Sequence, residues 1–268
     1  MTIRKDAVAG QFYPTSADEI EKMITHYNAI LDEHVDMQAL LAMPARAVIV
    51  PHAGYVYSGF TANVAHRILG AQALERVVVI GPSHRVYLEG VSVAAYDTYE
   101  TPLGVLQVDT ALVSQLRREY DVQFAPDAHA EHSTEVQMPF IKHYLPDVSI
   151  VELVYGKEEP QHLSYIIDML LQDPKTGVVI STDLSHYYDI EKAQRLDSIC
   201  LDAVAKLDPL ELHQGCEACG KIGVEAMILS ARAEGLKPHI LDYRTSADAS
   251  GDKSQVVGYA SVAFEEVK

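Results

Sequence analysis

Residues 48–60 read VIVPHAGYVYSGF, and residues 77–87 read VVVIGPSHRVY. In both, a continuous apolar run suited to a strand covered on two faces is broken by turn residues, Pro51 in one and Gly81–Pro82 in the other. A histidine follows each break, His52 and His84. Similar runs recur at Val91 to Ala95, Ser149 to Val154 and Val178 to Ser181, with His239 to Thr245 and Val256 to Phe264 also extended. Between them, apolar residues at helical spacing predict helices over 16–31, 58–70, 110–119, 133–144, 161–172, 189–206 and 221–234. Strands alternating with helices define an α/β sandwich, and the last extended segments predict a mixed rather than a purely parallel sheet. With no long Pro, Gly or Ser linker and no internal repeat, residues 1–268 read as a single domain.

Composition narrows the function. A formal net charge of −17 disfavours a nucleic-acid partner, because contact with a phosphate backbone is repulsive. No window has the ~18 apolar residues of a membrane span, and MTIRKDAVAGQFYP lacks the apolar core of a signal peptide, so the expectation is a soluble, cytoplasmic protein. Three cysteines, an odd number, argue against a disulfide framework, and Cys200, Cys216 and Cys219 read as thiols.

In an open α/β sheet, ligands bind outside the carboxyl ends of the strands, which makes the polar residues after each apolar run the first candidates. They are His52, His84, the Asp183 and His186 of STDLSHYYD, and the Glu131, His132 and Glu135 of AEHSTE. If their strands are neighbours, His52 and His84 can share an ion, since strands lie about 4.8 Å apart. Asp183 and His186, three apart, would share a face on a helical turn, with Asp183 either capping that turn or orienting the imidazole. Cys219 precedes a helix, where amide dipoles lower a thiol's pKa. A capping box led by His132 or Ser133 fits 131–144 and leaves Glu131 open between a site role and a solvated one. Tyr55 and Tyr57, in a glycine-punctuated loop beside His52, can stack on an aromatic or anionic ligand. No P-loop, dinucleotide fingerprint or G-x-S-x-G elbow occurs.

Seven ordered blocks, AVAGQFYP, PHAGYVYSG, GPSHRVY, TPLG, EHSTEVQMPF, STDLSHY and CGKIGVEAMI, together resemble the Memo-like family, whose fold is similar to class III extradiol dioxygenases of the LigB type. The resemblance implies a three-layer α/β/α sandwich with a mixed, mostly parallel sheet and one deep pocket. It implies metal ligands at His52, His84 and Cys219, a base at His186 beside Asp183, and pocket aromatics at Tyr57 and at Phe12, where animal members carry tryptophan. A cysteine where LigB enzymes use glutamate favours copper or zinc, or a thiolate-bound iron, over the usual facial triad.

Three functions follow from it. The first is a metal-dependent oxidoreductase using iron or copper on a phenolic or other anionic small substrate, with His186 as base and His132 steadying an oxyanion. The second is a non-catalytic pocket for phosphotyrosine-like or anionic aromatic ligands, as animal relatives suggest. The third is a zinc-dependent hydrolase. Family context also implies a radical-SAM protein and a small partner protein.

Overall fold

The computed structural model describes residues 1–267. Eleven strands form it: β1 (Ile3–Arg4), β2 (Ala45–Val50), β3 (Arg76–Pro82), β4 (Val91–Val93), β5 (Thr98–Thr101), β6 (Gly104–Val108), β7 (Ser149–Tyr155), β8 (Thr176–Ser181), β9 (His186–Tyr188), β10 (Leu236–Thr245) and β11 (Val256–Glu266). They join in the order β1-β5-β6-β7-β3-β8-β2-β11-β10, with β4 on β7 and β9 on β11. The run β6-β7-β3-β8-β2 is parallel, and β11 and β10 close one side antiparallel.

The central parallel strands β2, β3, β7 and β8 carry the apolar runs, and burial explains why. Every residue of β8 is buried, as are all but the first of β3 and of β7. The helices Ala17–His34, Tyr55–Gly70 and Met138–Tyr144 pack as one group and Pro160–Leu171 with Lys221–Glu234 as another, which gives the three-layer α/β/α arrangement. Among the described residues no helix is long and apolar enough to cross a membrane.

Several local expectations are corrected. The helix read over 133–144 is two pieces, His132–Glu135 and Met138–Tyr144, separated at Val136–Gln137 with Pro139 opening the second. The hairpin of β5 and β6 lies outside the strands expected from sequence, because β5 is short and polar and β6 alternates exposed and buried residues, so neither carries a continuous apolar run. The glycine-punctuated loop after His52 is the first turn of the helix Tyr55–Gly70. Cys200 and Cys216 are a disulfide, their Cα atoms 4.9 Å apart, and Cys219 alone is a free thiol among the described residues. An odd count hides one pair, and only the fold brings the helix Ile190–Lys206 against the loop that carries Cys216.

Candidate metal centre

His52 and His84 leave β2 and β3, but these strands are not neighbours. The strand β8 lies between them, so the adjacency expected from sequence fails. The loops close the gap instead, and the two rings stand 5.2 Å apart between centroids. Gly81 makes this approach possible on the β3 side: a Cβ there would lie 2.7 Å from Ser133 Oγ and 2.9 Å from Thr134 Cγ2. The β3 end therefore packs directly on the turn that carries His132, and Ser133 Oγ donates to the Pro82 carbonyl at 2.7 Å.

His132 completes a cluster with both. Its ring is 4.7 Å from His84 and 5.3 Å from His52, and one donor atom from each of the three lies within 4.8 Å of the others. Each Nδ1 has an oxygen beside it: Ser181 Oγ at 3.0 Å for His52, Glu131 Oε1 at 3.2 Å for His84 and the same oxygen at 2.8 Å for His132. For His52 and His84 that oxygen is a hydrogen-bond partner, which leaves Nε2 for the shared space, the usual pattern of ligating imidazoles, whereas at His132 the close approach makes no hydrogen bond. Burial, then the nearby His84 and His132, lower the pKa of His52 well below the usual value and keep it neutral, the form that binds metal.

Glu131 is the residue whose role the sequence left open. It is the N-cap of the turn His132–Glu135, accepting from Ser133 N, so the cap is neither Ser133 nor His132. It also accepts from the His84 N–H at 2.6 Å. Burial alone would raise its carboxyl, but the His132 and His84 side chains and the His84 amide outweigh it and hold it well below the usual range.

Asp183 and His186 lie on no helical turn. Residues 182–185 run irregularly along β11, with Leu184 N donating to Gly258 O and Gly258 N to Ser185 O, and His186 opens β9. Asp183 is buried, and its Oδ1 accepts from His52 N at 2.7 Å, fixing the chain at the metal-side histidine rather than capping a helix. Burial raises the Asp183 carboxyl, opposed by the His52 amide and by the charges of His186 and His132. Cys219 Sγ lies 3.2 Å from His52 Nε2, close to one member of the cluster. Its thiol is not lowered by the following helix: burial, then Asp183, push it up to about 12.

Phe12 stacks on His132 with centroids 4.5 Å apart. Tyr57 is 46% exposed. Tyr55 is buried in the core, where its hydroxyl donates to Val136 O and its ring stacks on Phe140 at 4.6 Å, so it offers no face to a ligand. Two residues at the centre were not singled out from sequence, Ser181 and Gln137. Both sit inside apolar patterns and look like ordinary strand and helix positions until the fold is known.

The donor set fits a metal ion. Three clustered imidazoles, each with one donor atom within 4.8 Å of the others, suit zinc, copper and iron, for which metal to nitrogen distances are about 2.0 to 2.1 Å. The cluster also runs from the buried His52 through the partly buried His132 to the exposed His84, which opens it to solvent on one side.

An α/β/α sandwich with a histidine cluster at the carboxyl ends of its parallel strands defines the class. Within it, the model of the family described as Memo-like protein matches residues 4–263, and the chain belongs to that family. A MEMO1 family protein of Archaeoglobus fulgidus is 35% identical over 98% of this chain and 99% of its own length. One of Aquifex aeolicus is 34% identical over 98% and 100%, and one of Thermoplasma volcanium 31% over 97% of each.

Proposed function

We propose that this protein is a metal-dependent oxidoreductase that acts on a phenolic or other anionic small molecule. The observation that carries the proposal is the convergence of His52, His84 and His132, each with an oxygen at Nδ1. His52 and His84 would hold the ion, joined by His132 or by Cys219, whose Sγ lies 3.2 Å from His52 Nε2. A bound iron or copper ion supplies redox chemistry with dioxygen. The chain supplies the rest: the half-buried His186 accepts the proton of a substrate hydroxyl, and Phe12 and Tyr57 offer ring faces to an aromatic substrate.

Anaerobic reconstitution with Fe(II) or Cu(I), metal analysis, and oxygen uptake with catechols and other phenols test this reading. One equivalent of metal and substrate-dependent oxygen uptake are expected, both lost in His52→Ala and His84→Ala. Failure of the wild type to hold stoichiometric metal would sink it. His132→Ala and Cys219→Ala identify the third donor, as only the variant lacking it drops in affinity.

The three-histidine set favours a second reading, zinc-dependent hydrolysis, because three imidazoles with an open position make up a known type of catalytic zinc site. Ester hydrolysis by the zinc form without oxygen uptake by the iron or copper form would select it.

A further inference from the structure

The hydrogen bonds behind His52 form a closed chain whose proton positions follow from counting donors and acceptors. Gln137 and Ser181 are fully buried, as are His52 and His66. The Gln137 side-chain amide nitrogen lies 2.8 Å from the Pro51 carbonyl and 2.9 Å from Ser181 Oγ. A carbonyl only accepts, so the NH2 must face Pro51, and the Gln137 oxygen must face His66 Nε2 at 2.9 Å. Both of its N–H groups are then spent, one on Pro51 and one on Ser181.

Ser181 has a single proton to give. Its Oγ lies 2.5 Å from the Ser133 carbonyl, another pure acceptor, so the hydroxyl proton points there. What remains on Ser181 Oγ is acceptor capacity, one lone pair taken by Gln137 and the other facing His52 Nδ1 at 3.0 Å. An imidazole nitrogen facing an acceptor must carry the proton. We infer that Gln137 and Ser181 lock His52 as the Nδ1–H tautomer and thereby bare its Nε2 lone pair toward His84, His132 and Cys219 before any metal arrives.

Ser181 and Gln137 are thus positioning residues for the metal site, and His66 backs them by holding the Gln137 amide in one orientation. Ser181 ends β8, the strand between those that deliver His52 and His84, and Gln137 sits in the break between the two short helices that follow Glu131. The same strand end and the same helix break that looked incidental in the sequence therefore set the state of one ligand. The inference rests on the metal-site reading for its purpose, and its geometry stands without it.

Nitrogen-15 imidazole spectra of the metal-free wild type, with His52 assigned by loss of its signals in His52→Gln, read the tautomer directly. The expected result is a protonated Nδ1 and an unprotonated Nε2 at His52. A protonated Nε2 there would overturn the inference. In parallel, Zn(II) affinity is compared between wild type and Ser181→Ala, with circular dichroism verifying the fold and Ser181→Thr as the conservative variant that keeps the acceptor. Ser181→Ala is expected to lose about 10- to 100-fold in Zn(II) affinity and Ser181→Thr to recover most of it. Folded Ser181→Ala with wild-type affinity would overturn the positioning role. If the wild type binds no metal yet shows Nδ1–H at His52, the proposed function fails while the tautomer assignment holds.

Discussion

Oxygen Oε1 of Glu131 lies 2.8 Å from Nδ1 of His132. The same atom is 3.2 Å from Nδ1 of His84, so one buried carboxylate lies against two of the three clustered imidazoles. Glu131→Gln keeps the shape but offers one oxygen in place of two and adds an NH2 that competes for a ring nitrogen. Its Zn(II) affinity, measured by competition with a chelating dye, should fall by about 10- to 100-fold while the fold is retained. Wild-type affinity in this variant would remove Glu131 from the support of the site.

His66 sets a pH dependence of stability. Burial lowers its pKa to about 4, and the acceptor Gln137 only partly offsets that. The unfolded chain then binds more protons than the folded one between about pH 6.5 and pH 4, so stability is full above that window and falls as pH drops through it. The loss attributable to His66 should reach about 2 kcal/mol at pH 5. Urea unfolding at pH 7.5 and pH 5 should show a steeper loss in wild type than in His66→Asn, and equal losses in the two proteins would refute the assignment.

A buried ion pair anchors the N-terminal segment. Arg4 lies 2.7 Å from Glu135, which also accepts from Ala7 N, Val8 N and the Tyr13 hydroxyl. Arg4→Ala leaves the Glu135 charge without its cation and should cost about 3 to 5 kcal/mol in chemical denaturation. Tyr13→Phe removes one neutral donor to that carboxylate and should cost about 1.5 to 3 kcal/mol. A denaturation midpoint unchanged by Arg4→Ala would contradict this account.

The bond between Cys200 and Cys216 closes a loop with a sequence separation of 16, which confers about 3 kcal/mol through chain entropy. Adding a phosphine reductant should lower the melting temperature of wild type but leave a Cys200→Ala/Cys216→Ala variant unaffected. Mass spectrometry after alkylation should find one free thiol before reduction and three after it.

The stack of Phe12 on His132 adds a smaller effect. Phe12→Ala should weaken Zn(II) binding by about 2- to 10-fold, the range of a single aromatic contact. Phe12→Trp, which keeps a ring face, should stay near wild type in the same titration.

Much of the fold was legible because the parallel strands of the centre are buried on both faces and so leave continuous apolar runs such as Val77 to Ile80. The hairpin of β5 and β6 left no such run, and the break at Val136–Gln137 lies inside an unbroken helical pattern. At the site, His52, His84 and His132 stood out because polar residues directly after apolar runs are unusual. Glu131 was visible but ambiguous, since a helix cap and a ligand support use the same carboxylate. Strand order was out of reach from one sequence, and so was the pairing of Cys200 with Cys216, because both depend on contacts between distant segments. Tyr55 and Tyr57 looked equivalent, yet two residues apart on a helix they face different ways, one into the core and one to solvent.

The placement of β8 between β2 and β3 makes the histidine cluster a gauge of strand alignment. Val50 pairs with Ser181, and Ile80 with Ile180, so the three strand ends are held level by the ladders on either side of β8. Sliding β8 by one residue would turn Ser181 to the opposite face of the sheet and leave His52 without its partner. The surroundings of the cluster therefore depend on the register of the sheet's centre: a chain with a shifted central strand would keep all three histidines yet lose the contact between Ser181 and His52.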